Sequence, residues 1–273
     1  MIPIKLPMLH HRRCPIDFHS LRRDQTARDT QNQHQECRPV KLQHHGNPTT
    51  IGWTRARCPC YNHPVFSRTI SDRFEVIAPY IKEGQILDLG CVDSRPAKNT
   101  AQERIDHKPN MLLKRIVEQN KNTLGIDIDP AGIEVLKQMG YSAQCADVET
   151  MDLQKQFDTI VAGELIEHLE NPGLFLRNMR RHLKPTGTLI ISTPNPFYQG
   201  QSWKIWRYGR PMVHEDHTNW QDPTTLTQLF LRTGFEPFEG YWVQPPRSTL
   251  KTWKRLFRPY FAHGFMMLAR PRP

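Results

Sequence analysis

No apolar run in this 273-residue chain approaches the roughly 18 residues that a membrane-spanning helix needs. A helical membrane span is therefore not expected. The opening Met-Ile-Pro-Ile-Lys-Leu-Pro lacks a long apolar core, so no secretory leader is expected and the expected compartment is the cytoplasm. In a reducing compartment the six cysteines are expected as free thiols. There is no CxxC. Cys58 and Cys60 form a CxC pair with His63 close by, but no second cysteine pair completes a zinc set. Acidic residues are missing from residues 241–273, which carry seven Lys/Arg. The apolar fraction, 37%, is low for a chain folded throughout.

Charge is present but uneven. The net charge is +10, made of +6 over residues 1–64, −3 over 65–240 and +7 over 241–273. A nucleic-acid partner argued from the total would be misplaced, because the middle of the chain is slightly acidic. Residues 1–64 are rich in His, Arg, Gln and Pro, and show neither a helical nor a strand period. Such a segment buries too little to offset its ordering entropy, so it is expected as a disordered basic extension. An organelle transit peptide or a later translation start are alternatives. The folded domain is expected over 65–273.

Within it, Phe66, Ile70, Phe74 and Ile77 recur at helical spacing and predict a helix over about 65–79. Gln85–Leu89 is a short apolar run that breaks at Gly90, a strand. Residues 93–108 are polar, and Met111–Glu118 is helical in pattern. Thr123–Asp127 is a second strand. Asp129-Pro130 then supplies an N-cap and a first-turn proline for a helix that runs to Met139 and stops at Gly140. Tyr141–Ala146 and Phe157–Ala162 are strands, and Asn171-Pro172 opens a helix through His182. Lys184–Gly187 is a turn before a strand over Thr188–Thr193. Asp222-Pro223 caps a helix ending at Gly234, and Phe235–Trp242 with Phe265–Ala269 form a closing pair of strands. Alternation of this kind predicts an α/β fold, a doubly wound, mostly parallel sheet covered on both faces.

In such a sheet ligands bind outside the carboxyl ends of the strands. The first strand ends in Ile86-Leu87-Asp88-Leu89-Gly90-Cys91, where glycine permits close backbone approach. The second ends in Gly125-Ile126-Asp127-Ile128-Asp129, an acid placed to accept from ribose hydroxyls. The third ends in Ala146-Asp147-Val148, and the fourth leads into Gly163-Glu164-Leu165-Ile166-Glu167-His168. Any one of these is a strand-end cap or a tight turn. Four in order at one edge are far more specific. The missing GxGxxG argues against a nicotinamide-binding dehydrogenase.

These stretches, with "LKPTGTLIISTPNP" and "DPTTLTQLFLRTGFE", resemble the class I S-adenosylmethionine-dependent methyltransferases over about 65–270. The resemblance is to the group of type 11 and 23 methyltransferase domains that includes the ubiquinone-biosynthesis O-methyltransferases. It implies a Rossmann-like, seven-stranded methyltransferase fold. It also implies an enzyme that moves the methyl group of S-adenosyl-L-methionine to a small-molecule acceptor, at a hydroxyl oxygen. Carried over, Asp88, Gly90 and Cys91 border the methionine part, Asp127 holds the ribose with Ile128 against the adenine, Asp147 takes the adenine amino group beside Val148, and Gly163 presents backbone. The family's first motif continues with further glycines, where this chain has Val92 and Ser94. Val92 is therefore expected to add bulk along the cofactor's path.

Glu164, Glu167 and His168 form an ExxEH pattern that a helical turn would gather on one face. The resemblance implies a magnesium or similar metal site there, Glu164, Glu167 and His168, with a further downstream histidine for which His214 and His217 are the two candidates. Without a metal, His168, His214 or His217 is a candidate general base, since imidazole titrates near ~6.5. Asn195–Tyr198, and an insert over 198–213 carrying Trp203, Trp206 and Tyr208, can wall the acceptor. The tail 248–261 mixes Lys and Arg with aromatics. It reads first as a basic helix packed on the core and second as a peripheral membrane contact. Two other functions stay open from the residues: a 2′-O-methyltransferase of RNA, and a methyltransferase-like binding module without activity. Oligomeric state is not legible.

Overall fold

A computed structural model describes residues 65–92, 100–106, 110–244 and 259–273. The chain divides into two units, Met1–Cys60 and Tyr61–Pro273, and all described residues belong to the second. The expected basic extension and the Cys58/Cys60 pair lie outside the described residues.

The chain forms β1 (Val65–Ile70), α1 (Phe74–Ile77), β2 (Ile86–Leu89), α2 (Ala101–Asp106), α3 (Leu112–Gln119), β3 (Thr123–Asp127), α4 (Pro130–Gln138) and β4 (Ala143–Cys145). It continues through β5 (Phe157–Gly163), α5 (Pro172–His182), β6 (Leu183–Pro194), α6 (Gln199–Tyr208), α7 (Pro223–Arg232), β7 (Phe235–Val243) and β8 (Gly264–Pro271). One sheet runs in the order β1-β7-β8-β6-β5-β2-β3-β4. All neighbours are parallel except β8, which is antiparallel to both β6 and β7.

Alternate residues of the central strands face opposite sides. Leu87, Leu89, Ile160, Leu189 and Ile191 join Phe175, Leu176, Leu226 and Phe230 of α5 and α7. Ile86, Val161 and Ile190 join Val76, Ile77 and Ile116 of α1 and α3. The sheet is thus doubly wound. Phe157, Phe175, Phe230, Phe235 and Phe265 are fully buried, each contributing about 3 kcal/mol by area.

Two expectations change. The sheet has eight strands rather than seven, because Val65–Ile70 is an edge strand parallel to β7 and not the start of a helix. Phe66 stacks on Trp242 at 4.5 Å. The helix begins only at Phe74, whose N–H donates to Asp72 Oδ1 at 3.0 Å. The helical spacing of Phe66, Ile70, Phe74 and Ile77 therefore joins two elements. The other change is at Lys184–Gly187, which lies inside β6. The pairing jumps from Phe157↔Leu183 to Thr159↔Thr188, so the turn survives as a bulge in one long strand. The Lys184 ammonium holds the Asp158 carboxylate across it at 2.8 Å.

The caps follow the sequence closely. Asp129 Oδ1 accepts from Ala131 N–H at the start of α4, and Gly140, at φ 86°, ends that turn. Asp222 and Thr225 form a capping box on α7. α6 is different: none of its residues is buried, and Trp206 is 80% exposed.

Candidate active site

The carboxyl ends of β2, β3, β5 and β6 border two cavities, of about 780 and 490 Å³. Gly90, Glu164, His168 and Asp216 line both, so the two are halves of one cleft.

The smaller half is lined by Asp127, Ile128, Asp147 and Val148. Asp127 Oδ1 accepts from Asp129 N–H at 3.0 Å and Oδ2 from Val92 N–H at 2.9 Å, which fixes its carboxylate plane. Ile128 is 70% exposed at the strand end, an apolar shelf where a flat ring can rest. Asp147 accepts from Glu149 N–H and from the Thr150 hydroxyl, so it also starts a turn. Val148 is buried, and its carbonyl is held by Asn178.

Gly90, at φ 73°, turns the chain between the halves, a conformation that favours glycine. Asp88, Gly90, Cys91 and Gly163 line the larger half. Asp88 is 1% exposed, and its Oδ2 is buried without a hydrogen-bond partner. Burial, then the Asp127 charge, pushes its carboxyl up to about 8. A buried acceptor left unpaired at a cavity wall is a seat for a cationic ligand group. Cys91 is buried, and burial followed by the charges of Asp88 and Asp127 raises its thiol, keeping it protonated. Its Sγ lies 2.8 Å from where a side chain at Gly125 would begin, so β3 needs glycine there. Val92 corrects the expectation of bulk in the cleft: its side chain is 1% exposed and packs with Ile133 and Leu136 of α4.

The outer wall carries three histidines. Ile166–His168 is a 3₁₀ turn rather than an α-helical one. It grips the segment after His214: Thr218 N–H donates to the Glu167 carbonyl at 3.0 Å, and Asn219 Nδ2 donates to the carbonyls of Ile166 and Leu169 at 3.0 and 2.8 Å. His217 therefore stands edge-on to His168 at 4.7 Å, with His214 6.4 Å from His168. His168 Nδ1 lies 3.1 Å from the Asp216 carbonyl. A carbonyl only accepts, so Nδ1 is the donor in this contact and Nε2 is left facing the cleft's other groups. Burial, then the neighbouring His168 and His214, lowers the His217 pKa and favours its neutral form.

Ligand atoms of Glu167, His168 and His217 come within 4.8 Å of one another. Glu167 is buried, accepts from the Thr193 hydroxyl at 2.9 Å, and is pushed up to about 7, chiefly by burial. Of the expected set, Glu167 and His168 come together with His217, while Glu164 and His214 line the same cavity outside that trio. Glu164 lies outside the 3₁₀ turn, at φ 55°, and its carboxylate pairs with Arg73 at 3.0 Å. His214 Nδ1 lies 3.4 Å from Asp216 Oδ2. Asn195 is also corrected: it is buried and donates to the carbonyls of Tyr260 and Ala262, a brace rather than an acceptor contact.

Sequence reasoning missed Asp72, Arg73, Arg115 and His263, which line the larger half. Arg115 grips Asp72 through two bonds of 3.1 and 2.7 Å and lies over the Phe74 ring at 4.0 Å. That bond is the main cause holding the Asp72 carboxyl below its ordinary value. For Asp72, Arg73 and Arg115 the only sequence signal was charge inside a stretch read as a helix, and for His263 there was none. Of the tail, residues 248–258 lie outside the described residues. Tyr260 turns inward, its hydroxyl donating to Asp222 Oδ1 at 2.8 Å and its ring 5.1 Å from Trp242.

Comparison with known proteins places this cleft in a family. A family described as a methyltransferase domain matches residues 61–239. The chain is 30% identical over 131 residues to a ubiquinone biosynthesis O-methyltransferase of Nitrobacter winogradskyi, covering 46% of this chain and 42% of that protein. It is 24% identical over 168 residues to one of Bradyrhizobium diazoefficiens, covering 59% and 54%. The chain thus spans about half the length of these curated relatives. A SAM-dependent methyltransferase structure from Archaeoglobus fulgidus superposes with a TM-score of 0.52 at 17% identity, covering 72% of this chain and 91% of that one. A magnesium protoporphyrin IX methyltransferase from Synechocystis, solved with SAH bound, gives 0.50 at 11% identity, covering 73% and 79%.

Proposed function

Because the chain belongs to the methyltransferase-domain family and has the class I fold, we propose that it moves a methyl group from S-adenosyl-L-methionine to a hydroxyl oxygen of a small-molecule acceptor. One observation carries the reading. Asp88, Asp127 and Asp147, from three successive strand ends, share one cleft with His168 and His217.

The residues fit the cofactor. Asp127 would accept from the ribose hydroxyls, Ile128 would lie against the adenine, and Asp147 would accept from its amino group. The unpaired Asp88 Oδ2 would take the methionine ammonium, and Gly90 and Gly163 would let the backbone come close. When bound, the cofactor supplies an activated methyl on a sulfonium, a very good leaving group. The protein's work is then alignment, which can supply about 7–11 kcal/mol, and removal of the acceptor's proton. His168 Nε2 is the base: its Nδ1–H is spent on the Asp216 carbonyl, and the imidazole lines both halves of the cleft. His217 and His214 hold that ring edge-on.

In the alternative in which His168 Nε2 is a ligand rather than the base, Glu167, His168 and His217 would hold a divalent cation such as Mg²⁺ through one oxygen and two nitrogen donors within reach of one another. Such an ion would lower the acceptor hydroxyl's pKa. Peripheral contact with a membrane through 248–261 is supported by the exposed Phe261 and by the exposed Phe197, whose ring lies 5.8 Å from that of Tyr260. Partition into anionic vesicles tests it.

Calorimetry with S-adenosylhomocysteine tests the central reading. Binding that is weakened in Asp127→Ala is expected. Absence of binding to the intact chain at millimolar ligand overturns it in favour of a binding module. For the ion, activity that is unchanged by chelator and in Glu167→Ala removes it from the mechanism.

A further inference from the structure

The turn after β2 carries a β-branched residue where a ligand must pass, and two groups of that residue point opposite ways. The Val92 N–H donates to Asp127 Oδ2 at 2.9 Å, towards the smaller half of the cleft. The isopropyl group points away from the cleft, 1% exposed, into the cluster formed with Ile133 and Leu136. What receives it is Gly132, in the first turn of α4. A side chain at 132 would begin 2.9 Å from Val92 Cγ2, nearer still to Cγ1, and 2.9 Å from Asp129 Oδ2. Valine has no flexible end with which to retreat. Asp129 Oδ2 is the far end of a side chain that can turn a little, so Val92 is the neighbour that cannot yield.

We propose that Val92 and Gly132 are an interdependent pair of positioning residues for the cofactor's ribose. Gly132 admits the valine side chain, the seated valine aims its N–H at Asp127, and that bond sets the carboxylate for the ribose hydroxyls. This inference rests on the cofactor reading above. Neither residue needs to touch ligand. Glycine within a helix is ordinarily less stable than alanine. Here the contact with Val92 reverses the sign of that substitution.

The test is a set of variants of the full chain, titrated with S-adenosylhomocysteine and, separately, with adenosine, which shares the ribose. Gly132→Ala is expected to weaken both ligands by about tenfold. Val92→Ala/Gly132→Ala is expected to return to within about threefold of the intact chain, because the clashing methyls are gone. In an Asp127→Asn background, adding Gly132→Ala is expected to change affinity by less than about twofold, since the pair acts through that carboxylate. A purely structural role would lower thermal stability without this dependence on Asp127. Where Gly132→Ala alone does not fold, a folded double variant with restored affinity supports the pair, and a double variant that still fails overturns it. Wild-type affinity in folded Gly132→Ala, or multiplicative effects with Asp127→Asn, also overturns it. An intact chain that binds neither ligand overturns the cofactor reading instead.

Discussion

In the smaller half of the cleft most bonds to the acids come from residues two or three positions along, as for Asp127 from Asp129 and Asp147 from Glu149 and Thr150, and the one long reach is that of Val92 N–H to Asp127. In the larger half the bonds join distant segments. Arg73 reaches Ser192 across 119 residues, His168 reaches Asp216 across 48, and Thr193 reaches Glu167 across 26. A strand end followed by its own turn is a local arrangement that a short sequence encodes whole. The wall opposite exists only once the sheet and its long loops have closed. The two halves are accordingly expected to fail separately when changed.

The largest separation is expected from His168→Ala. It should lower kcat by about 10²–10⁴ while leaving the Kd for S-adenosylhomocysteine within about twofold. Equal losses in both quantities would merge the two halves. Asp127→Ala is the converse. Loss of charge-assisted bonds should raise that Kd by about 10–100-fold with far less effect on kcat at saturating cofactor.

Asp88 lines the larger half, and pH sharpens its role. Its folded pKa of about 8 is above its unfolded value of about 3.9, so the folded chain holds the extra proton between those values. Stability from this group is complete below about pH 4 and is lost as pH rises towards 8. Asp88→Asn should flatten that fall, read as Tm against pH without ligand. A ligand ammonium at Asp88 would expel the proton, so affinity should rise by up to about tenfold per pH unit below 8. Calorimetry in buffers of different ionisation enthalpy would detect the released proton. The smallest effect is expected of Tyr260→Phe, which removes one hydrogen bond to Asp222. It should cost about 1 kcal/mol of stability and leave cofactor affinity unchanged.

The same division explains what could be read from the sequence. Asp129-Pro130, Asp222-Pro223 and the run Thr123–Asp127 carry their conformations in adjacent residues, and each has its expected form. Val65–Ile70 did not, because the partner that makes it a strand is β7, far along the chain. Val92 was read as an obstruction because a sequence gives a side chain's size and not its direction. The space that accepts it is a glycine 40 positions later. ExxEH spacing suggested a common helical face, but the turn is 3₁₀ from Ile166, and Glu164 lies before it, lining the cleft with its carboxylate paired to Arg73. No local signal linked His217 to His168. Thr218 and Asn219 make that link, and polar residues in a loop do not announce what they bind.

Those two residues have a kinetic consequence. The Thr218 and Asn219 amides sit in an irregular segment beside solvent, where exchange with deuterium is ordinarily fast. Both donate to the Glu167 carbonyl, at 3.0 and 3.3 Å. Their exchange is thus gated by detachment of the histidine segment from the 3₁₀ turn, an opening that leaves every strand of the sheet paired. The protection of these two amides, set against that of β5, measures how long the larger half of the cleft stays assembled between openings.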